Sequence, residues 1–408
     1  MKARLRSLLY RELLRARRDK MNDKKSPLER QSGQIAAKYL FKKLKYPFKD
    51  WQKFWDLIRL AVERDKNLYR QISLSKRGGG KRVILIPCEE LKYLQRLISQ
   101  RLLADISGHP NASGFSEGSI REALLPIVRA KQPIFCADVK DAFPETTFGA
   151  VFSAFQRCKY GYNSSYFLTY LTTWRTYQSL FYNSALPQGA PTSPRLFDLC
   201  FEPIDNALAK FAAKIGGVYT RYADNIFFTA PTFWPARKSC RKVEGETIVK
   251  DKHGFETYYP YKRKISTIPE GKADIDKSDS GALNWHSPVI SAIYQIVHTK
   301  GKGTYYQLHK SYLCDKGQLL HALGLNLING QLHNTREFKR HLRLTIFNLQ
   351  KSLSAQDDFG NKIWPLYQKL NGMMQFAIKE TLPVSLVQQW EELDLAIYQI
   401  RYPRTIGT

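Results

Sequence analysis

Two short apolar runs each carry an aspartate to a strand end, and a proline-bracketed turn lies between them in the chain. The first run is Phe135-Cys136-Ala137-Asp138-Val139-Lys140-Asp141-Ala142-Phe143 and the second is Arg221-Tyr222-Ala223-Asp224-Asn225-Ile226-Phe227-Phe228. The turn is Leu186-Pro187-Gln188-Gly189-Ala190-Pro191-Thr192-Ser193-Pro194. A carboxylate at a strand end is held rigidly at the edge of a sheet, and a tight turn between VYTRY and IFFTA pushes Asp224 out at its tip. One such aspartate ordinarily caps a turn or a helix. Two that converge from separate strands can bridge a pair of divalent cations about 3.5–4 Å apart, as phosphoryl transfer to a 3′-hydroxyl requires.

The partner of such a site is indicated by charge. Of 408 residues, 64 are Lys or Arg and 36 are Asp or Glu, giving a formal charge of +28, while 43% are hydrophobic and 13% aromatic. The apolar content supplies a core, which excludes a disordered basic tail. The uncompensated charge calls for a polyanion, either nucleic acid or an anionic membrane surface. No run of about 18 apolar residues is present to span a bilayer. The N-terminus, MKARLRSLLYRELLRARRDK, sets Leu5, Leu8, Leu9 and Leu13 at helical spacing among arginines and lacks the apolar stretch of a secretory signal. Cys88, Cys136, Cys158, Cys200, Cys240 and Cys314 are scattered without a CxxC pair, which argues against a disulfide framework or a zinc site and for a reducing cytoplasm.

Residues 1–75 read as mainly helical and basic, ending at SLSKRGGGKR, where Gly78, Gly79 and Gly80 suit a hairpin turn before a strand at Val83 to Ile86. Leu91, Leu94, Ile98 and Leu102 then share one helical face. Residues 130–265 alternate short strands with helices. Asn334 and Glu337 stand in capping-box spacing ahead of a helix through Leu353, and the remaining residues read as helical. The stretch 266–315 is turn-rich and reads as an unassigned insertion, either a surface loop or a partner-docking element.

In sequence order, ADVKDAF, LPQGAPTSP and YADN resemble motifs A, B and C of reverse transcriptases, and PQGAPTSP resembles the form of bacterial retron and defence-associated enzymes. KRVILIPCEELKYLQRLI resembles their fingers segment, HPNASGFSEGSI the loop that follows, HGFETYYPYKRKIST motif D, and LGLNLINGQLHNTREFKRHLR the passage from grip to thumb. The resemblance runs from about 76 to 350. It implies an α+β right-hand polymerase fold: a basic N-terminal region at 1–75, fingers at 76–130, a palm of antiparallel sheet and helices at 131–330, and a helical thumb at 331–408.

The same resemblance assigns roles. Asp138 and Asp224 match the metal-binding aspartates, and the backbone carbonyl of Val139 completes a shell for two Mg2+ ions, with Mn2+ as the substitute. Phe143 matches the aromatic gate against a ribose 2′-hydroxyl, and Asp141 shapes a turn whose N–H groups, with that of Ala142, face the triphosphate. Gln188 and Gly189 match the residues that track the template and the nascent pair. Arg82, with Lys76 or Lys81, is placed to clamp the triphosphate. Lys264 or Lys262 fits the motif D lysine that protonates pyrophosphate.

Asn225 departs from the family pattern, which has a second aspartate there. The site loses one unit of negative charge, while Asp224 keeps the main bridging position. The implied activity is RNA-directed DNA synthesis with a dedicated noncoding RNA as template or primer, dNTPs as substrates and DNA as product, in antiphage defence, with a second subunit or copy as a further partner and no membrane. Template-independent or protein-guided synthesis by the same fold is the alternative, and RNA-templated RNA synthesis is disfavoured by Phe143. From another class stands a non-catalytic nucleic-acid-binding scaffold with a degenerate motif C.

Overall fold

The computed structural model describes residues 28, 31–46, 51–75, 81–115, 118–174, 184–233, 239–243, 246–250, 256–259, 287–300, 306–316, 319–328 and 330–402. Helices α1 (Gln31–Lys43) and α2 (Trp51–Glu63) lead into a hairpin of β1 (Tyr69–Ser75) and β2 (Lys81–Pro87), paired antiparallel from Tyr69↔Pro87 to Ser75↔Lys81. The division expected between 75 and 76 therefore cuts a hairpin, and the helical expectation for 1–75 fails at Tyr69–Ser75. Gly78 to Gly80 and the basic N-terminal segment lie outside the described residues. Helix α3 (Glu89–Ile98) continues through a π turn at Ser99–Leu103, burying Leu91, Leu94, Ile98 and Leu102 as their spacing predicts, together with Leu97 and Leu103.

The central sheet has five strands in the order β10-β4-β6-β5-β3. Strands β4 (Ile134–Val139), β5 (Tyr219–Tyr222) and β6 (Asn225–Thr229) fall on the predicted apolar runs, while the short β3 (Ala112–Ser113) lies in the segment read as a loop. Between β3 and β4 runs α4 (Ile120–Arg129), started by a capping box of Ser119 and Glu122. Helices α5 (Phe148–Arg157), α6 (Tyr162–Thr172) and the long α7 (Ser193–Lys214) follow β4. Phe135, Phe155, Phe167, Phe197, Phe201 and Phe228 are fully buried in the core they share. A separate sheet of β7 (Ser239–Val243), β8 (Glu246–Lys250) and β9 (Glu256–Tyr259) follows.

The stretch 266–315 is not an insertion along its whole length. Residues 266–286 lie outside the described residues, but α8 (Pro288–Lys300) buries Val289, Ile290, Ile293 and Val297, and β10 (Leu308–Cys314) is the sheet strand beside β4. Its strand character is masked in sequence because the register shifts between His309 and Tyr312, with Lys310 at a φ of 49°. Such a bulge breaks the two-residue alternation by which strands are read.

A three-stranded sheet of β11 (Leu320–Ala322), β12 (Leu325–Ile328) and β13 (Gln331–Asn334) packs on α4, so the division expected at 330/331 falls inside a β-hairpin. Beyond it α9 (Arg336–Ser354), α10 (Trp364–Phe376) and α11 (Val384–Arg401) form their own core around Leu342, Leu349, Leu370 and Ile397. The cap of α9 is Thr335, whose hydroxyl accepts from Phe338 N–H, and not Asn334 as the spacing predicts. Asn334 is buried and bound elsewhere. Its amide donates to the Ile378 carbonyl at 2.6 Å and to Thr381 Oγ1 at 2.8 Å, and its oxygen accepts from Ile378 N–H at 3.1 Å. This clamp ties the small sheet to the segment between α10 and α11. Asn334→Ala leaves Ile378 N–H without its acceptor, while the Ile378 carbonyl keeps its bonds from Thr381, and is expected to cost about 1–3 kcal/mol in denaturant unfolding, more than Thr335→Ala, which removes only a helix cap.

Candidate active site

Strand β4 is buried on both faces and opens only near its end: Phe135, Cys136, Ala137 and Val139 are buried, while Asp138 is half-buried. The β5–β6 connection is the tightest available, with Tyr222 opposite Asn225 and only Ala223 and Asp224 between. Ala223 takes a left-handed φ of 54°, which closes the turn against the preference of a residue with a Cβ. Antiparallel pairing of β4 with β6 sets Asp138 opposite Asn225, and Val139 N–H donates to the Asp224 carbonyl at 2.9 Å. The two aspartates are thereby neighbours across adjacent strands.

Their electrostatics reflect that placement. The Asp138 carboxyl is pushed up to about 6, first by burial and then by the charge of Asp224, against the opposing pull of His309 and Lys310. Its Oδ1 is buried without a hydrogen-bond partner, while Oδ2 lies 3.6 Å from both His309 Nε2 and Lys310 Nζ. His309 Nδ1 also stands 3.1 Å from the Asp138 backbone carbonyl, so that nitrogen carries the proton. Asn225 donates its amide to Asp224 Oδ1 at 3.2 Å, an orientation that presents no second anion. A partly dry pair of carboxylates with an orphaned oxygen fits a divalent cation by charge and by donor type. Among the described residues no group of three or more His, Cys, Asp or Glu forms a metal cluster.

The remaining predicted residues divide into three groups. Phe143 is half-buried and belongs to a trio of rings, tilted against Phe115 at 5.6 Å and edge-on to Phe197 at 6.0 Å between centroids. Asp141 is exposed at a φ of 45°, and Ala142 is buried with its carbonyl accepting from Thr146 Oγ1. Gln188 accepts at its carbonyl from Leu85 N–H at 2.7 Å, so the proline-bracketed turn docks on β2. Gly189, at a φ of 116°, is required there: a Cβ would stand 2.9 Å from the Leu85 carbonyl. Arg82 and Lys81 are exposed on the same strand β2. Lys76, Lys262 and Lys264 lie outside the described residues; among the described residues Lys310 stands 3.6 Å from Asp138.

Two further features escape a reading of the sequence. His309 and Lys310 sit on a strand hidden in turn-rich sequence. Beneath the Asp224 turn lies Arg221, fully buried. It grips Asp205 through two bonds of 2.9 and 2.8 Å and Asp198 through one of 2.9 Å, and it donates to the Ala223 carbonyl at 2.6 Å. The available signal is one Arg in a short strand and two Asp seven residues apart, and so on one face of α7.

A five-stranded sheet that presents paired aspartates, backed by helices and followed by a helical C-terminal unit, defines the right-hand fold of nucleotide polymerases. Residues 74–246 match the model of the family described as Reverse transcriptase (RNA-dependent DNA polymerase). The chain is 30% identical over 287 residues to the Retron Ec86 reverse transcriptase of Escherichia coli, covering 60% of this chain and 87% of that one. It is 35% identical over 172 residues to the Retron Mx65 reverse transcriptase of Myxococcus xanthus, covering 40% of each. Among solved structures it is similar to telomerase from Candida albicans, with a TM-score of 0.39 and 8% identity over 86% of this chain and 59% of that one. It is also similar to a foamy viral protease-reverse transcriptase, with a TM-score of 0.32 and 13% identity over 81% of this chain and 33% of that one. Likenesses that distant add nothing to the assignment. The chain belongs to the bacterial retron-type reverse transcriptases and is an RNA-directed DNA polymerase.

The Asp138 environment gives a direct measurement. Its proton is held more tightly in the folded protein than the ordinary value of 3.8 allows, so without metal this group favours the fold least above about 6. Carbon-13 carboxyl spectra of the metal-free protein are expected to show one aspartate titrating near 6. Asp224→Asn lowers that midpoint only partway, because burial is the larger cause.

Proposed function

We propose that Asp138, Asp224 and the backbone carbonyl of Val139 hold two Mg2+ ions, and that the chain uses them to extend DNA on an RNA template. The observation that carries this reading is the buried, unpartnered Asp138 Oδ1 beside a second carboxylate. Bound there, the ions supply charge neutralisation at the attacking and leaving oxygens. Mn2+ substitutes for Mg2+ in the same oxygen set.

The chain's own groups do the rest. Asn225 donates to Asp224 and orients its carboxylate, so the missing second acid costs charge but not geometry. Lys310 stands with its ammonium 3.6 Å from Asp138 on a largely exposed side chain, placed to give a proton to departing pyrophosphate in the role expected of Lys264. Arg82, with Lys76 or Lys81, clamps the triphosphate from β2. The N–H groups at Asp141 and Ala142 face it from the turn after β4. Gln188 and Gly189 carry the templating position, anchored to β2 through Leu85. Phe143, backed by Phe115 and Phe197, closes the space of a 2′-hydroxyl and selects deoxynucleotides.

The charge of +28 supports a resident polyanion, which we assign to a dedicated noncoding RNA serving as template or primer, in an antiphage system of the cytoplasm. Among the described residues no helix is long and apolar enough to cross a membrane.

Primer extension by the purified protein with its copurified RNA tests the scheme. Asp138→Ala and Asp224→Ala are expected to lower dNTP incorporation by about 10^3-fold or more, and Asn225→Asp to retain it. Phe143→Ala is expected to relax discrimination against rNTPs by about 10- to 100-fold. Product unaffected by removal of the RNA would assign template-independent synthesis instead. Incorporation that survives loss of either aspartate would overturn the metal assignment.

A further inference from the structure

Arg221 joins the turn that carries Asp224 to the helix begun by the proline-bracketed loop. Its guanidinium is fully buried and lies over the rings of Phe197 and Phe201, at 5.4 and 5.0 Å. Three contacts reach α7: two to Asp205 and one to Asp198. The fourth reaches the Ala223 carbonyl, the left-handed residue immediately before Asp224. Asp205 is further fixed by Tyr219 Oη, which donates to it at 2.5 Å. Asp198 also faces Arg195 at 3.7 Å, one turn back on α7.

Charge-assisted bonds in a dry site are short and directional, and a planar fork held by four bonds from all three of its nitrogens has one orientation. An alanine held at φ 54° would otherwise relax toward right-handed values and swing the following carboxylate. We propose that Arg221 is the positioning residue of the metal site. By gripping the Ala223 carbonyl while anchored to Asp198 and Asp205, it sets the direction in which Asp224 meets the metal. It thereby couples that carboxylate to α7 and to the Gln188–Gly189 loop at the head of the helix. This rests on the assignment of Asp224 as a metal ligand.

The test separates the two claims by reading metal binding directly, with Mn2+ followed by electron paramagnetic resonance, beside the Mg2+ dependence of incorporation and the melting temperature. Asp224→Ala must abolish the tight Mn2+ site; if it does not, the underlying assignment fails whatever Arg221 does. Arg221→Lys keeps the charge and loses the fork. Asp198→Asn keeps the paired Asp205 bonds and loosens only the third anchor. Both are expected to weaken Mn2+ binding and raise the half-saturating Mg2+ concentration about tenfold for Arg221→Lys and severalfold for Asp198→Asn, with activity partly restored at high metal. A folded Arg221→Lys protein with wild-type Mn2+ affinity and unchanged Mg2+ dependence overturns the proposal. If Arg221→Lys does not fold, Asp198→Asn decides on the same two readouts.

Discussion

The antiparallel pairing of β4 with β6 is the constraint on which the site depends. It puts Asp138 opposite Asn225 and lets Val139 N–H reach the carbonyl of Asp224. Because side chains alternate along a strand, a slip of one residue would turn Asp138 into the core and Ala137 or Val139 out of it. The register is pinned by Phe135, Cys136, Phe227 and Phe228, all buried. The same apolar contacts that stabilise the sheet thus also fix the distance between two charges that repel.

That repulsion is managed locally. Two carboxylates sharing a partly dry site raise each other's proton affinity, and Asp138 shows the effect. His309 and Lys310 from β10 offset part of it at 3.6 Å. Asn225 offsets another part by being neutral and by giving a proton donor to Asp224. A third acid at 225 would add a like charge to the pair before any cation arrives. Replacing it with an amide trades attraction for metal against ease of holding the empty site, and it leaves the two strand-borne ligands intact.

What the sequence discloses follows from how local each signal is. Strands β4, β5 and β6 are short apolar runs broken by a turn, and the Gln188–Gly189 loop is marked by its prolines, so all four are legible by eye. Strand β10 is not, because a bulge at Lys310 spoils its alternation and turn-rich sequence precedes it. Its His309 and Lys310 are therefore found only once the strand is laid against β4. Asn334 misleads for a related reason. Its spacing to Glu337 satisfies a helix cap, but a tertiary partner at Ile378 competes for the same amide and wins. Arg221 is the most distant from a local signal: an arginine in a strand ordinarily faces water, and its two anchors lie on a helix earlier in the chain.

Arg221 also shows why a chain carrying +28 keeps a cation in its interior. A buried ion cluster is no surer source of stability than apolar side chains of the same volume, since desolvation cancels most of the attraction. Stability alone therefore does not call for Arg221, Asp198 and Asp205 at the base of the hairpin. What apolar packing cannot provide is a bond with a direction, and the Ala223 carbonyl needs one, because its residue is held in a conformation it would not choose. The surface cations act by number and distance, drawing in a polyanion whose sequence they do not read. The buried one acts by angle. In the proposed scheme the first kind of charge holds the nucleic acid, and the second sets where its 3′ end is extended.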